Sequence, residues 1–212
     1  MIYVSYAQIP DTSNISCLYA EVKSFFSNPQ NVDYLDAIIL RNNEESKKES
    51  LCALIVLSML IEKTDVDVSS LSFFRSNNGK PYFKDSNLHF SLTHSKGYAA
   101  AALSDASPVG LDLECTLVSH DMARKLAARW FNEKEESEFS QGIESFARIW
   151  TKKESYAKMQ DIPLSEFVSK EKITRKPSFE DAEYMYFDVN NCPLTLCKTS
   201  EYEDVIFFET KF

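Results

Sequence analysis

HFSLTHSKGYAAAALSDASPVGLDLE, residues 89–114, is the stretch of the sequence that says most about the fold. Three runs within it have strand patterns: His89–His94, Tyr98–Leu103 and Val109–Glu114. The first and third alternate between polar and apolar residues, as half-buried strands do, and the second is apolar on both faces, as a buried strand is. Turn signals at Ser95–Gly97 and Ser104–Pro108 separate the runs. We therefore predict a three-stranded β-meander.

Helices are predicted on both sides of this meander. The first spans Asn42–Lys63, where apolar residues recur with helical spacing. Three more are predicted in the second half: one capped by Asp121 and running through Trp130, one capped by Asn132 with Glu135 at the capping-box position, and Ser145–Met159. Strands are predicted at Ile2–Ile9 and, as antiparallel strands, from Tyr184 to Thr210. This order predicts an α+β fold.

The composition is that of an ordinary globular chain of 212 residues, with 44% apolar and 26% charged residues. This length accommodates one large domain or two smaller halves. A net charge of −9 argues against a nucleic-acid binder, which needs a basic surface. The longest apolar run, Leu51–Ile61, is too short to span a bilayer, and the N-terminus lacks a signal-peptide pattern. We therefore expect a cytoplasmic protein with no membrane partner.

Two kinds of binding motif are absent from the sequence. The chain has only four glycines, and no stretch forms a glycine-rich phosphate loop. The five cysteines are odd in number and include no CxxC pair, so we expect neither a disulfide framework nor a zinc site. We interpret the cysteines as small apolar core residues.

The run Val109–Glu114 places two carboxylates on one face of a strand. Alternate residues of a strand share a face, so Asp112 and Glu114 lie side by side, opposite the apolar residues. Like charges at this spacing repel, and a hard divalent cation with oxygen ligands is the usual compensation. The alternative is a solvated strand face, which needs no ligand.

The run Trp150–Lys158 places charged residues beside an aromatic residue on a predicted helix. By helical spacing, one face carries the following residues: Trp150, Lys153, Glu154, Ala157 and Lys158. An anchoring aromatic residue thus presents a carboxylate between two ammonium groups. The alternative is an ordinary surface pair between Glu154 and Lys158.

Two further motifs precede these. Gly79-Lys80-Pro81 follows a dense turn signal, and it places a lysine on a stiff loop that suits a phosphate contact. Thr93 and His94 end a predicted strand, where a hydroxyl and an imidazole can donate to a phosphate. An exposed turn lysine and a plain histidine are the alternatives.

The order and spacing of these motifs resemble the 4′-phosphopantetheinyl transferases of the surfactin type. The resemblance rests on four motifs: Gly79-Lys80-Pro81, Phe90–Ser95, Val109–Glu114 and Trp150–Lys158. It implies two similar α/β halves, related by a pseudo-two-fold axis, each with an antiparallel sheet packed against helices. The halves would be residues 1–105 and 106–212, with the metal site in the second and coenzyme A in the cleft between them.

The resemblance also implies an activity. The expected reaction is transfer of 4′-phosphopantetheine from coenzyme A to a serine hydroxyl of an apo acyl or peptidyl carrier protein, with release of adenosine 3′,5′-bisphosphate. Mg²⁺ would be held by Asp112, Glu114 and Glu154, and a monomer would suffice. A carrier-binding module without catalysis, an unrelated metal-dependent phosphotransferase or hydrolase, and a plain interaction protein are the rival interpretations.

Further roles follow from the same resemblance. The residues expected to contact coenzyme A are Lys80, Pro81, Thr93, His94, Lys153 and Lys158. Glu154, Lys158 and Glu135 are expected to be catalytic, with Glu154 or Glu135 helping to deprotonate the serine. Phe131 is a candidate for the carrier-protein surface.

One position departs from the family pattern. Glu49 stands where the resemblance leads us to expect an arginine that grips the 3′-phosphate of coenzyme A. Four basic residues are candidate substitutes: Arg41, Lys47, Lys48 and Arg75. A weakened grip predicts tolerance of dephospho-coenzyme A.

Overall fold

The computed structural model describes residues 1–167, 182–199 and 204–212. The helices are α1 (Ile15–Phe25), α2 (Val32–Ile39), α3 (Glu44–Ile61), α4 (His120–Trp130), α5 (Glu133–Ser140) and α6 (Phe146–Gln160). The strands are β1 (Ile2–Gln8), β2 (Phe73–Arg75), β3 (Pro81–Phe83), β4 (His89–Ser95), β5 (Tyr98–Ser104), β6 (Val109–Leu113), β7 (Glu183–Val189), β8 (Cys192–Lys198) and β9 (Val205–Glu209). The predicted α+β class is confirmed.

The described strands form three sheets with the orders β4-β5-β1-β9, β2-β3 and β6-β8-β7. The pairs within them are antiparallel, except that β9 runs parallel to β1. The prediction that all strands after Tyr184 are antiparallel is therefore wrong for β9. Because β9 belongs to the second predicted half, the first sheet takes strands from both 1–105 and 106–212.

The predicted meander is correct for its first two strands and wrong for the third. β4 and β5 pair as an antiparallel hairpin, but β6 does not pair with β5. The reason is that both edges of β5 are already occupied, one by β4 and the other by β1. After the turn at Ser104–Pro108 the chain therefore starts a new sheet, in which β6 pairs with β8.

The first sheet is covered on both faces. The helices α1, α2 and α3 cover one face, and residues 51–58 of α3 are all buried. The other face packs against the sheet β6-β8-β7 through Ile2, Val4, Ala100 and Ala102. Val109, Leu111 and Leu113 of β6 belong to the same core. The small side chains of β5 are buried throughout, which agrees with the prediction of an apolar strand.

The caps of the helices explain where they begin. Asn43 caps α3, Ser145 caps α6, and Asn132 with Glu135 forms the predicted capping box of α5. The prediction that Asp121 caps α4 is wrong, because Ser119 has the extended backbone and accepts from the amide of Met122. Asp121 lies in the first turn, where a carboxylate still favours the helix dipole.

The arrangement of the cysteines contradicts the prediction, made from their number, that they are all unpaired core residues. Cys115, after β6, and Cys192, in β8, form a disulfide, and Cys17 is exposed. Only Cys52 and Cys197 are buried as expected. The pair is separated by 77 residues, and only the pairing of β6 with β8 brings it together. None of the described helices has the length and apolar character needed to cross a membrane.

Gly110 lets α6 lie directly against β6. A Cβ atom at this position would lie 1.8 Å from the carbonyl oxygen of Ser155 and 2.6 Å from the amide nitrogen of Met159. Both atoms belong to the backbone of α6, so no side-chain rotation relieves the contact. Only glycine allows this approach of strand and helix.

We predict that Gly110→Ala destabilises the fold, because helix and strand must move apart and lose packing. The free energy of unfolding, measured in urea, should fall by about 3 kcal/mol or more. Gly142→Ala is the control: that glycine has φ of 70° and open space around it, so alanine there should cost only about 1–2 kcal/mol of backbone strain. Equal losses in the two variants would contradict the proposed contact.

Candidate active site

A cavity of about 650 Å³ lies where β4, β6 and α6 meet the start of α3. It brings together predicted site residues from both halves of the chain: Thr93, His94, Asp112, Glu114, Glu154 and Lys158. Trp150, predicted on the same helix face, also lines it. A smaller cavity of about 330 Å³ shares Glu154 and Lys158 with the first and is lined by Lys80 and Pro81.

Hydroxyl side chains of β4 hold β6 in place. The amides of Leu111, Leu113 and Cys115 donate to the hydroxyls of Ser91, Thr93 and Ser95 at 2.9, 3.1 and 3.0 Å. This ladder, in which side chains replace the carbonyls of a neighbouring strand, joins the sheet β4-β5-β1-β9 to the sheet β6-β8-β7. Its signal in the sequence is a hydroxyl at every second residue of β4.

The same hydroxyls orient the two carboxylates of β6. Thr93 Oγ1 donates to Asp112 Oδ1 at 3.3 Å, and Ser95 Oγ donates to Glu114 Oε1 at 3.2 Å. The amide of Thr116 donates to the same Glu114 oxygen at 2.7 Å. Thr93 was expected to contact coenzyme A, and in the structure it also positions Asp112.

Asp112 is buried and forms an ion pair with Lys158. Lys158 Nζ donates to Asp112 Oδ1 at 2.6 Å and to the carbonyl of Leu111 at 3.1 Å. Burial raises the pKa of Asp112, and the ammonium of Lys158 opposes that shift. The side chain of Lys158 is 28% exposed, so its ammonium also faces the cavity.

Glu154 carries negative charge that its neighbours do not compensate. Burial, together with the carboxylates of Asp112 and Glu114, raises the pKa of Glu154 to about 7, although the ammonium of Lys158 opposes this shift. The three carboxylates therefore repel one another in a setting that is largely shielded from water. The solvated strand face, the alternative reading of Asp112 and Glu114, does not describe this arrangement.

The carboxylates of Asp112, Glu114 and Glu154 are chemically suited to bind a hard divalent cation. All three groups are carboxylates, the ligands Mg²⁺ prefers, and they hold more negative charge than Lys158 balances. Among the residues that the structure describes, no three His, Cys, Asp or Glu side chains are already arranged as a metal site. Lys158 already contacts one carboxylate oxygen of Asp112, Oδ1.

Lys153 and Glu135 lie outside both cavities and bind each other. Lys153 Nζ donates to Glu135 Oε2 at 2.7 Å, with side chains only 4% and 11% exposed. The same carboxylate oxygen accepts from the amide of Asn132 in the capping box. The structure therefore gives neither residue the position that its predicted role requires, as a phosphate contact or as a catalytic base.

Helix geometry explains the error about Lys153. Lys153 and Lys158 are five residues apart, which places them about 140° apart around the helix axis. One face therefore cannot present both ammonium groups to a single cavity, although each alone is near Trp150. Glu154 and Lys158 line the cavity, whereas Lys153 packs against α5 through its contact with Glu135.

Lys80 is held by the end of α6. Its loop is anchored because Ser76 Oγ donates to Asp161 Oδ1 at 2.8 Å and Asn78 Nδ2 donates to the carbonyl of Asp161 at 2.6 Å. Gly79 has φ of 88°, which the turn requires. Lys80 Nζ donates to the carbonyl of Val109 at 3.3 Å, and burial lowers the pKa of Lys80 to about 8.

His94 binds Glu49, an interaction that the sequence did not reveal. Glu49 Oε2 lies 3.0 Å from His94 Nδ1, and both residues line the larger cavity. Burial lowers the pKa of His94, despite the opposing effect of Glu49. The imidazole can donate through its Nδ1–H to the carboxylate of Glu49.

The four basic residues that were candidate substitutes for the missing arginine lie at separate places in the structure. Arg41 donates to Ser50 Oγ at 2.6 Å, and Lys47 lies 3.8 Å from Glu44. Lys48 lines a neighbouring cavity with Glu49, and Arg75 donates to the carbonyl of Gly79. Phe131 is buried in the core between α4, α5 and α6, so it offers no surface to a carrier protein.

Comparison with known proteins points to one family. The family model for the 4′-phosphopantetheinyl transferase superfamily matches residues 108–205. The chain is 30% identical to the 4′-phosphopantetheinyl transferase gsp of Aneurinibacillus migulanus and 26% identical to Sfp of Bacillus subtilis (strain 168). Each alignment covers 59% of this chain, and 55% and 59% of the respective relatives, so the chain spans little more than half their length.

A third relative matches over a longer region. It is a putative 4′-phosphopantetheinyl transferase of Haemophilus influenzae, 23% identical over 74% of this chain and 67% of that protein. The segment matched by the family model, residues 108–205, contains the β6 and α6 motifs and with them the three carboxylates.

We predict that Lys153→Met destabilises the protein, because it leaves the buried carboxylate of Glu135 without its cation. The loss should be about 3–5 kcal/mol in urea unfolding. The double variant Glu135→Leu/Lys153→Met should recover most of it, because no buried charge is then unpaired. The control is Lys134→Met in the exposed pair Lys134–Glu138, which should lower the free energy of unfolding by less than about 1 kcal/mol.

A Lys153→Met protein with unchanged stability and weakened coenzyme A binding would contradict this structural role. It would restore the expectation that Lys153 contacts the substrate phosphates.

Proposed function

We propose that this chain is a member of the 4′-phosphopantetheinyl transferase superfamily and that it transfers 4′-phosphopantetheine from coenzyme A to a serine hydroxyl of an apo carrier protein; the match of residues 108–205 to the family model and the similarity to gsp and Sfp support this. The observation that carries the proposal is the meeting of Asp112, Glu114, Glu154 and Lys158 in one cavity. The carrier would be an acyl or peptidyl carrier protein, and the protein would act as a cytoplasmic monomer.

Because the cavity contains several carboxylates, an anionic substrate can bind there only if cations bind with it. The chain has a net charge of −9, and the cavity itself contains several carboxylates. A pyrophosphate therefore needs strong local positive charge to bind there. Asp112, Glu114 and Glu154 would hold Mg²⁺, which when bound would neutralise charge on the pyrophosphate.

Lys158 would steady the phosphate groups from within the cavity. It is fixed by hydrogen bonds to Asp112 and to the carbonyl of Leu111, so little reorganisation is needed when the substrate binds. As the phosphorus–oxygen bond to the nucleotide breaks, negative charge grows on the departing phosphate. An ammonium already in position stabilises that charge more than a mobile one does.

The serine hydroxyl would attack the phosphorus atom that bears the pantetheine arm. A bond forms between the serine oxygen and that phosphorus, the bond to the bridging oxygen breaks, and adenosine 3′,5′-bisphosphate leaves. The proton of the serine must go to a base. We propose Glu154 for this role instead of Glu135, because Glu154 lines both cavities and Glu135 lines neither.

Mass spectrometry of an apo carrier protein tests this proposal. The wild-type protein, incubated with coenzyme A and Mg²⁺, should add the mass of one phosphopantetheine group to the carrier. Asp112→Asn, which keeps the shape but removes the charge, should slow transfer on the order of 100-fold or more. Chelation of the metal by EDTA should have a similar effect.

Asp188→Asn is the matched control, because this exposed carboxylate pairs with Arg148 away from both cavities. It should leave the rate within about twofold of wild type. If the wild-type protein modified none of several unrelated acyl and peptidyl carriers, the proposed function would be wrong. If Asp112→Asn kept full activity, the assignment of the site would be wrong.

A further inference from the structure

A disulfide joins the segment after β6 to the start of β8, beside the cluster of carboxylates. Cys115 directly follows Glu114 in the chain, and its sulfur is bonded to that of Cys192, with 4.7 Å between the two Cα atoms. Both cysteines are only partly buried, and residues 116–118, which follow Cys115, are exposed. The disulfide therefore links the two strands at the point where the chain leaves the sheet.

The Cys192 side of this link is firmly held. Cys192 pairs with Val189 across a two-residue turn. The turn residues Asn190 and Asn191 have φ of 49° and 67°, the backbone that tight turns between antiparallel strands prefer. Asn190 Nδ2 donates to the hydroxyl of Tyr98 in β5 at 2.8 Å, which ties the turn to the neighbouring sheet. Cys192 is thus a fixed anchor.

The Cys115 side carries the contacts that orient Glu114. Glu114 Oε1 accepts from Ser95 Oγ at 3.2 Å and from the amide of Thr116 at 2.7 Å. Ser95 Oγ in turn accepts from the amide of Cys115 at 3.0 Å. One donor to Glu114 is therefore bound to Cys115, and the other is the residue that follows it. The position of the carboxylate depends on the position of Cys115.

Hydrogen bonds alone hold this segment less firmly than the disulfide does. In the part of the chain that the structure describes, the amide of Glu114 donates to the carbonyl of Pro193 at 3.1 Å, and the amide of Cys115 donates to Ser95. Both hydrogen bonds lie beyond the end of β6, where the ends of strands open readily. The disulfide thus prevents a local opening that would move the Glu114 carboxylate away from the other two carboxylates.

We propose that the Cys115–Cys192 disulfide is a redox switch of the cation site. Closed, it holds Glu114 where the three carboxylates can share a divalent cation. Opened by a dithiol reductant, it releases Glu114 and weakens binding of the cation and of a pyrophosphate substrate. This inference rests on the proposed function. In the reducing compartment proposed for this protein, a disulfide that forms is usually transient and redox-sensing.

Opening of the switch is a thiol–disulfide exchange. A thiolate of the dithiol attacks one sulfur of the pair, the sulfur–sulfur bond breaks, and a mixed disulfide forms. The second thiol of the reductant then displaces the protein sulfur and closes the reductant's own disulfide. Two electrons and two protons pass to the protein, which is left with thiols at Cys115 and Cys192. Exchange with an oxidised dithiol reverses these steps.

Mass spectrometry of alkylated peptides tests whether the switch exists. In folded protein purified in air, iodoacetamide should label Cys115 and Cys192 only after dithiothreitol is added. Cys17, an exposed free thiol, should be labelled with or without the reductant. Labelling of Cys115 and Cys192 without dithiothreitol would overturn the proposal.

Calorimetry of coenzyme A binding measures what the switch does to the site. Reduction by dithiothreitol should lower the strengthening of binding by Mg²⁺ about fivefold or more, and should leave binding without Mg²⁺ within about twofold. The variant Cys115→Ser/Cys192→Ser should match the reduced protein and should not respond to dithiothreitol. Cys17→Ser is the matched control and should respond as the wild-type protein does.

A further variant tests whether the effect passes through Glu114. Glu114→Gln lacks the charge that the switch positions, so reduction should cause no further loss of the Mg²⁺ effect in it. A further loss of about fivefold in Glu114→Gln would overturn the proposal.

Two other results would overturn it as well. One is an equal Mg²⁺ effect in oxidised and reduced protein. The other is loss of the helical circular dichroism signal on reduction, because the whole fold would then open instead of one segment. Absence of Mg²⁺-dependent coenzyme A binding even in the oxidised protein is a different result, which overturns the proposed function and with it the switch of its site.

Discussion

The direct contact between the backbones of β6 and α6 at Gly110 is the constraint on which the site depends. Since a Cβ atom there would lie 1.8 Å from a carbonyl oxygen of α6, the residue must be glycine. The contact places Asp112, two residues along the strand, against Lys158 on the helix at 2.6 Å. A wider spacing of strand and helix would separate the carboxylates of β6 from Glu154, and the site would be lost.

Hydroxyl groups of β4 complete this arrangement from the opposite side. Thr93 and Ser95 each accept from a backbone amide of the β6 segment and donate to a carboxylate of the same segment. The same set of hydrogen bonds therefore joins the two sheets and orients the carboxylates. The consequence is a cluster of like charges that is held in place before any ligand binds, as an efficient phosphate-transfer site requires.

Local patterns predicted the local structure and failed where distant segments decide it. The alternation in Val109–Glu114 predicted which side chains of β6 share a face, but not that β1 would occupy the edge of β5 that the predicted meander needed. Helical spacing placed Glu154 and Lys158 correctly and misplaced Lys153, because the partner Glu135 lies on another helix. The Glu49–His94 pair joins α3 to β4 and has no signal in either segment.

The central claim is that the three carboxylates and Lys158 form one site, in which a metal ion and a pyrophosphate bind together. Calorimetric titration of coenzyme A with and without Mg²⁺ tests it most directly, since it requires no carrier protein. We predict that Mg²⁺ strengthens binding of coenzyme A at least about tenfold in the wild-type protein, and that Glu154→Gln removes most of this coupling. Equal affinity with and without Mg²⁺ would contradict the account.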